Sequence, residues 1–197
     1  LFSSLLVLTA LRDVMLAAVW VAATLGWSPA QALLPGLRAD SAVLVPLAAL
    51  LVTVLGFWNA RRTARVVRVD VPVAALPAAL EGFTVAQITD IHVGPTIKQH
   101  YLQAIVRKVN ALEADMVAIT GDLVDGKVHE LADHVAPLAQ LRSRHGSFFV
   151  TGNHEYYSGA HAWMAELRRL GVRVLMNEHV VLQQNQAAVV LAGVADF

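Results

Sequence analysis

Two side chains that could hold a metal ion follow a short apolar stretch in the segment "QITDIH", residues 87–92. Asp90 and His92 are two residues apart, and in an extended strand such residues point to the same side. A carboxylate and an imidazole that project together form a pair of ligands for a divalent metal ion. A turn-forming aspartate followed by a surface histidine has the same sequence. This pair alone therefore does not decide between a metal site and a simple turn.

Side chains of the same chemical types recur after two further apolar segments. "TGDLVDG", residues 120–126, contains Asp122, and "TGNHEYY", residues 151–157, contains Asn153 and His154. Ligands of α/β proteins bind at the carboxyl ends of strands, so we expect the three segments to meet at one site. Oxygen and nitrogen donors without sulfur suit Mn²⁺, Fe, Zn²⁺ or Mg²⁺. Turn formation explains any single segment, but not ligand types in all three.

The chain around these segments alternates between strand and helix patterns. A strand is predicted over 83–90, and "KQHYLQAIVRKVNALEA" has a helical apolar spacing that includes Leu112. A helix over 129–143 contains Pro137 as a kink, and a helix over 159–171 stops at Gly171. Further strands are predicted at "DMVAIT", "VRVLMN", "HVVLQQ" and "AAVVLAGV", and "GSFFVTGN" is predicted to be a strand followed by a turn. This alternation predicts a layered α/β domain.

The composition separates the first 60 residues from the rest. Hydrophobic residues make up 56% of the chain and charged residues 15%, against about 45–50% and 25% in ordinary soluble domains. The zero net charge argues against bulk attraction to nucleic acid, and the absence of cysteine excludes disulfides and thiolate metal sites. Residues 1–60 contain only four charged side chains, Arg12, Asp13, Arg38 and Asp40.

This apolar region predicts about two transmembrane helices, over about 3–27 and 41–60. Residues 41–60 carry no charge and reach the length that a spanning helix needs. In 1–27 the pair Arg12-Asp13 lies either inside a helix bundle or at an interface between two spans, and we expect a single span. A loop is predicted over 28–40. A signal peptide is not expected, because no basic segment precedes the apolar run and a second apolar run follows.

Residues 61–81 form a predicted basic linker and extended segment. Arg61, Arg62, Arg65 and Arg68 follow the second apolar run directly. Because positively charged flanks of transmembrane helices stay in the cytoplasm, these arginines predict that the α/β domain lies on the cytoplasmic side. Together with the two apolar segments, they predict a multi-pass protein of the cell membrane.

The segments "DIH", "GDLVD" and "GNHE", in this order after strands, resemble the first three signature blocks of the calcineurin-like metallophosphoesterase superfamily. The apolar N-terminal region is similar in layout to a membrane-anchored branch of that superfamily. The resemblance covers residues 82–197. It implies a metallophosphoesterase-like two-layer β-sandwich flanked by helices, truncated here and preceded by transmembrane helices.

The resemblance also implies a role for each ligand. Asp90 and His92 would bind a first divalent metal ion, Asp122 would bridge two metals, and Asn153 would bind the second through its amide oxygen. His154 would stay off the metals and either contact the substrate phosphate or protonate the leaving oxygen. Two-metal sites activate water for in-line displacement, and a histidine that titrates near neutrality suits a general acid.

The expected function is hydrolysis of a phosphomonoester or phosphodiester by a metal-bridged hydroxide. The substrate is a phosphorylated molecule, and proximity to a bilayer makes a lipid-linked phosphate attractive. No stripe of basic and aromatic residues indicates a nuclease. The alternative is a catalytically degenerate, membrane-anchored binding protein. The superfamily has further histidines downstream of the three blocks, one alone and then a Gly-His-x-His block. Catalysis needs these histidines, so their presence would distinguish an enzyme from a binding protein.

Those later histidines are not found after His179, and the chain starts with Leu rather than Met. We expect a piece of a longer protein that does not bind two metals tightly or turn over substrate by itself. His161 is interpreted as a helix-surface residue and His179 as a turn residue. Asp125 is interpreted as a support for the ligands or a helix cap. Tyr156 and Tyr157 line a substrate pocket or pack in the core.

Overall fold

The computed structural model describes residues 1–196, which divide into one unit over Leu1–Arg62 and a second from Thr63 onward. The first unit consists of two helices, α1 (Phe2–Thr24) and α2 (Ser28–Ala60). Both helices are long and apolar enough to cross a membrane by length and composition.

The loop predicted over 28–40 is helical and belongs to α2. A proline near the first turn is compatible with a helix start, because the first helical N–H groups have no partner in the helix. Alanine and leucine, which favour helix, dominate the residues that follow. The prediction of a loop gave too much weight to serine, proline and glycine. Within this unit, Arg12 Nε donates to Ser41 Oγ at 2.9 Å, and Arg12 Nη1 lies 3.0 Å from Asp13 Oδ1.

The second unit is built on a four-stranded parallel sheet in the order β1-β2-β3-β4. Helices join the strands along the chain. The strands are β1 (Val85–Ile88), β2 (Met116–Thr120), β3 (Ser147–Val150) and β4 (Arg173–Val174), and the helices are α3 (Gln99–Asn110), α4 (Val128–Val135), α5 (Asn153–Ser158) and α6 (Ala160–Arg169).

An antiparallel hairpin, β5 (Glu178–Gln184) and β6 (Ala187–Gly193), forms a second layer of strands. Phe149 of β3 packs in the larger core with α3, α4 and α6, whereas Phe148 packs with β5 in the smaller core. Neighbouring residues of a strand point to opposite faces, so β3 is buried on both sides. The predicted α/β class and its two layers of strands are confirmed.

Several predicted boundaries differ from the structure. The helix predicted over 129–143 ends at Val135 and continues as a 3-10 turn, Ala136–Gln140, because Pro137 has no N–H to donate to the α-helical pattern. Leu112 follows the end of α3 and is an exposed residue rather than a core residue. The segment "TGNHEYY" was interpreted only as a turn, but its last five residues lie in α5.

Candidate metal centre

Asp90, His92 and Asp122 meet beyond the carboxyl ends of β1 and β2. Their potential ligand atoms all lie within 4.8 Å of one another. None of the three is in an extended strand, because Asp90 and His92 both have φ 53° and Asp122 has φ 50°. The strand-alternation argument for Asp90 and His92 is therefore wrong, although the two side chains do converge.

The backbone pairing of the two loops explains this convergence. The N–H of Asp90 donates to the carbonyl of Gly121 at 3.3 Å, and the N–H of His92 donates to that of Asp122 at 3.0 Å. The N–H of Val93 donates to the carbonyl of Leu123 at 2.8 Å. The loop after β1 thus stays attached to the loop after β2. Aspartate and histidine are among the residues that adopt left-handed conformations most readily, so they suit these turns.

The third predicted segment joins the same place through α5. The backbone N–H of His154 donates to Asp122 Oδ1 at 3.0 Å. The side-chain amide of Asn153 lies beside the Asp122 carboxylate, and with its nitrogen turned toward Asp122 it would donate to both carboxylate oxygens at 3.2 Å. All five residues proposed from the sequence therefore come together. Asp122 contacts both the loop after β1 and the start of α5.

Two glycines allow the second and third segments to approach so closely. A Cβ on Gly121, which has φ 81°, would overlap the amide nitrogen of Gly152 and lie 2.6 Å from its Cα. A Cβ on Gly152 would overlap Asp122 Oδ1 and lie 2.6 Å from the Asp122 nitrogen. The backbones are in direct contact here, so neither glycine can carry a side chain without moving the candidate ligand Asp122.

The buried carboxylate of Glu155 holds the second and third segments together. The sequence analysis did not identify Glu155. Its side chain is fully buried, with a relative exposure of 0%. Oε2 accepts the N–H groups of Gly152 (2.7 Å) and Asp122 (3.0 Å), and Oε1 accepts those of Leu123 (2.8 Å) and Val124 (3.3 Å). Burial raises the pKa of Glu155, and these four donors act in the opposite direction. A glutamate at the third position of a helix, where it can bond the preceding backbone, was the available signal.

Asp125 joins the two histidines of the site. Its Oδ1 lies 2.9 Å from His92 Nδ1 and 2.6 Å from His154 Nδ1, and the two rings meet edge to face at 4.5 Å. The hydrogen bond that His92 donates to Asp125 raises the pKa of His92, against the opposing effect of burial. Burial acts to raise the pKa of Asp125, but the hydrogen bonds from both rings outweigh it and the pKa lies below the ordinary value. Each ring therefore has Nε2 left for another partner.

The donor set fits a divalent metal ion. Asp90, His92 and Asp122 offer two carboxylates and an imidazole in one small volume. Two carboxylates this close repel one another, and a bound cation would relieve that repulsion. Hard or borderline divalent ions prefer such oxygen and nitrogen ligands. Among residues 1–196, neither His161 nor His179 belongs to a cluster of this kind, and both are exposed.

Comparison with known proteins agrees with this geometry. Residues 83–193 match the calcineurin-like phosphoesterase family. The chain is 38% identical over 159 residues to a "Transmembrane protein with metallophosphoesterase domain" of Danio rerio, and 42% identical over 165 residues to one of Bos taurus. These matches cover 79% and 78% of this chain. A "UDP-2,3-diacylglucosamine pyrophosphatase LpxG" of Chlamydia muridarum is 34% identical over 80 residues, which is 40% of this chain and 24% of that protein.

The chain belongs to the calcineurin-like phosphoesterase family, a family of metal-dependent phosphoric ester hydrolases. It spans 36% of the length of the Danio rerio protein and 37% of that of the Bos taurus protein.

Proposed function

We propose that the full-length protein is a membrane-tethered phosphoesterase that hydrolyses a phosphomonoester or phosphodiester with two divalent metal ions. The observation that carries this proposal is the convergence of Asp90, His92 and Asp122 within 4.8 Å, beside Asn153 and His154. Bound divalent ions would supply an activated water and neutralise charge on the phosphate.

Each residue of the chain has a separate task in this proposal. Asp90 and His92 would hold a first ion, Asp122 would serve both ions, and Asn153 would offer its amide oxygen to the second.

His154 is the proposed catalytic residue that touches substrate. Asp125 accepts a hydrogen bond from Nδ1 at 2.6 Å, which fixes the ring and leaves Nε2 free to give a proton to the leaving oxygen. Asp125 is a positioning residue in this scheme, since it acts through the imidazole rings of His154 and His92.

Two observations support the membrane part of the proposal. Helices α1 and α2 have mean hydropathies of 2.0 and 2.2 in their most apolar windows, and the relatives from Danio rerio and Bos taurus are named transmembrane proteins. The four arginines after α2 support a cytoplasmic side for the α/β unit in this proposal. A phosphorylated substrate with a lipid anchor suits an enzyme at a bilayer, and the LpxG relative is named for a diacylated sugar nucleotide.

We also propose that this chain alone lacks part of the second metal site. Asp122 and Asn153 are the ligands that residues 1–196 bring to it, and two ligands leave most of a coordination shell open. Residues outside this chain would supply the others in a longer protein.

Metal content and activity test the proposal together. The full-length protein is expressed in cells supplied with manganese and iron, and its metal content is measured beside that of the 197-residue chain. Both proteins are assayed on p-nitrophenyl phosphate and bis(p-nitrophenyl) phosphate. We expect two equivalents of metal in the full-length protein, fewer in the shorter chain, and loss of both metal and activity in Asp122→Ala. Asp133→Ala, an exposed aspartate of α4, is the matched control and should keep both.

A full-length protein without metal, or an Asp122→Ala variant that keeps full activity, would contradict the enzyme. Metal binding without hydrolysis of any ester would favour the binding protein instead.

A further inference from the structure

Helix α5 carries two neighbouring tyrosines with different surroundings. Tyr156 lies with its Oη 3.3 Å from Thr151 Oγ1, so its hydroxyl has a partner inside the protein. Tyr157 is 78% exposed, and its ring meets the His154 imidazole edge to face, with centroids 5.8 Å apart and planes at 75°. Tyr157 is therefore a large, exposed aromatic side chain in direct contact with the proposed general acid.

The backbone that carries Tyr157 is firmly attached on both sides. Before it, the Glu155 carboxylate accepts four backbone N–H groups. After it, Ser158 Oγ donates to the carbonyl of Val124 at 3.2 Å, and Gly159 ends α5 in a left-handed conformation with φ 95°. The backbone position of Tyr157 is therefore fixed next to the site, which suits a residue that recognises a ligand.

The contact with His154 sets what Tyr157 can touch. Asp125 accepts a hydrogen bond from His154 Nδ1, so Nε2 is the ring atom left to face a substrate. A leaving group bound at His154 thus arrives beside the exposed ring of Tyr157. Aromatic rings stack well on flat apolar groups, and tyrosine offers this surface at a low cost in side-chain entropy.

We propose that Tyr157 is a specificity-determining residue that packs against the leaving alcohol and favours phosphoesters whose leaving group has a flat, apolar surface. The proposal rests on the proposed function, in which His154 meets the leaving oxygen. It adds a preference for one class of alcohol, aryl or similarly flat, over small polar alcohols.

Steady-state kinetics of the full-length protein test this inference on two esters of the class that it hydrolyses. For a monoesterase these are phenyl phosphate and glycerol 2-phosphate, and for a diesterase diphenyl phosphate and bis(2-hydroxyethyl) phosphate. Each variant is compared with wild type on the same ester, so the intrinsic reactivity of the ester cancels. Tyr157→Ala should lower kcat/KM about tenfold for the phenyl ester and less than about twofold for the other.

The division between KM and kcat adds a second readout. Stacking on the leaving group is present in both the ground state and the transition state, so the loss should fall mainly on KM. Tyr157→Phe keeps the ring and should retain the preference. Tyr156→Ala removes the neighbouring ring, whose hydroxyl faces Thr151, and should affect the two esters equally. All variants are checked for wild-type metal content and melting temperature.

Equal losses on both esters in Tyr157→Ala, or no loss on either, would overturn the role of Tyr157 while leaving the phosphoesterase intact. A loss in Tyr157→Phe as large as in Tyr157→Ala would assign the effect to the hydroxyl and overturn the stacking argument. A wild-type protein that hydrolyses none of these esters with its metals bound contradicts the proposed function, and this inference falls with it.

Discussion

Glu155 Oε2 accepts the backbone N–H of Asp122 at 3.0 Å, although 33 residues separate them in the chain. The same carboxylate holds the two N–H groups that follow Asp122. Asp122 has a left-handed backbone, and these bonds keep the loop in that conformation. A buried glutamate of the third segment therefore determines where the candidate ligand of the second segment lies.

Replacement of Glu155 by glutamine should destabilise the α/β unit strongly. A glutamine has one accepting oxygen, so its NH₂ group would face backbone donors that then lack a partner. We expect the free energy of unfolding to fall by about 2–4 kcal/mol, measured by urea unfolding in detergent. The same change at Glu166, whose partner is the neighbouring Arg169 on α6, should lower the free energy of unfolding by less than about 1 kcal/mol. Equal effects of the two substitutions would contradict the role of Glu155.

Asp125→Asn should impair activity more than stability. Both histidine rings contact the same oxygen, Oδ1, and an asparagine oxygen there carries no negative charge. It is therefore a weaker acceptor for both ring N–H groups. We expect a 10- to 100-fold loss in kcat/KM, the usual scale for groups that orient metal ligands. Asp133→Asn on α4 is the matched control. Unchanged kinetics in Asp125→Asn would show that the two rings do not depend on this carboxylate.

Gly152→Ala tests the close approach of the two loops. Gly152 has φ −98°, which alanine adopts freely, so any cost must come from the contact of the new methyl group with Asp122. We expect a loss of about 3 kcal/mol or more in the free energy of unfolding, together with loss of bound metal.

Gly171→Ala is the comparison for that experiment. Gly171 has φ 85° and no atom within 4 Å of an added Cβ, so only the left-handed backbone is strained. The expected loss is about 1 kcal/mol, with metal content unchanged. A smaller loss at Gly152 than at Gly171 would contradict the packing described for the site.

The ion pair on α6 predicts a pH dependence remote from the site. The hydrogen bond from Arg169 lowers the pKa of Glu166 below its ordinary value of 4.5, against the opposing effect of burial. Because the folded pKa is the lower one, the stabilisation is present above the unfolded pKa and is lost as the pH falls through the folded pKa. Wild type and Glu166→Gln should therefore differ in urea midpoint at pH 6, and the difference should shrink as the pH falls below 4.5. A constant difference between pH 6 and pH 3 would exclude this cause.

The sequence predicted the order of strands and helices because apolar periodicity follows directly from burial. Phe148 and Phe149 lie in a short apolar run that the structure buries on both faces. The three ligand segments could be predicted as well, since glycine, aspartate and histidine mark the turns after strands. The apolar segment 41–60 was identified by its length, and the structure extends that helix back to Ser28.

The errors come from interactions that local patterns do not contain. Asp90 and His92 were expected on a strand, but their conformation is set by backbone bonds to Gly121 and Asp122, some 30 residues later. Glu155 was missed for the same reason, since its partners lie in another loop. The proline and glycine content of residues 28–40 predicts a loop, whereas the structure has these residues in the helix Ser28–Ala60.

The left-handed backbones of Asp90, His92 and Asp122 restrict how this site can change during evolution. Metal binding requires aspartate and histidine at these positions. The turns require residues that tolerate positive φ, mainly glycine, asparagine, aspartate and histidine. A protein lineage that loses catalysis no longer needs the metal ligands, but its turns still need residues that tolerate positive φ. Its sequence would drift toward asparagine and glycine at these positions rather than toward alanine or valine. An inactive descendant would thus remain recognisable by the shape of its turns after its ligands are gone.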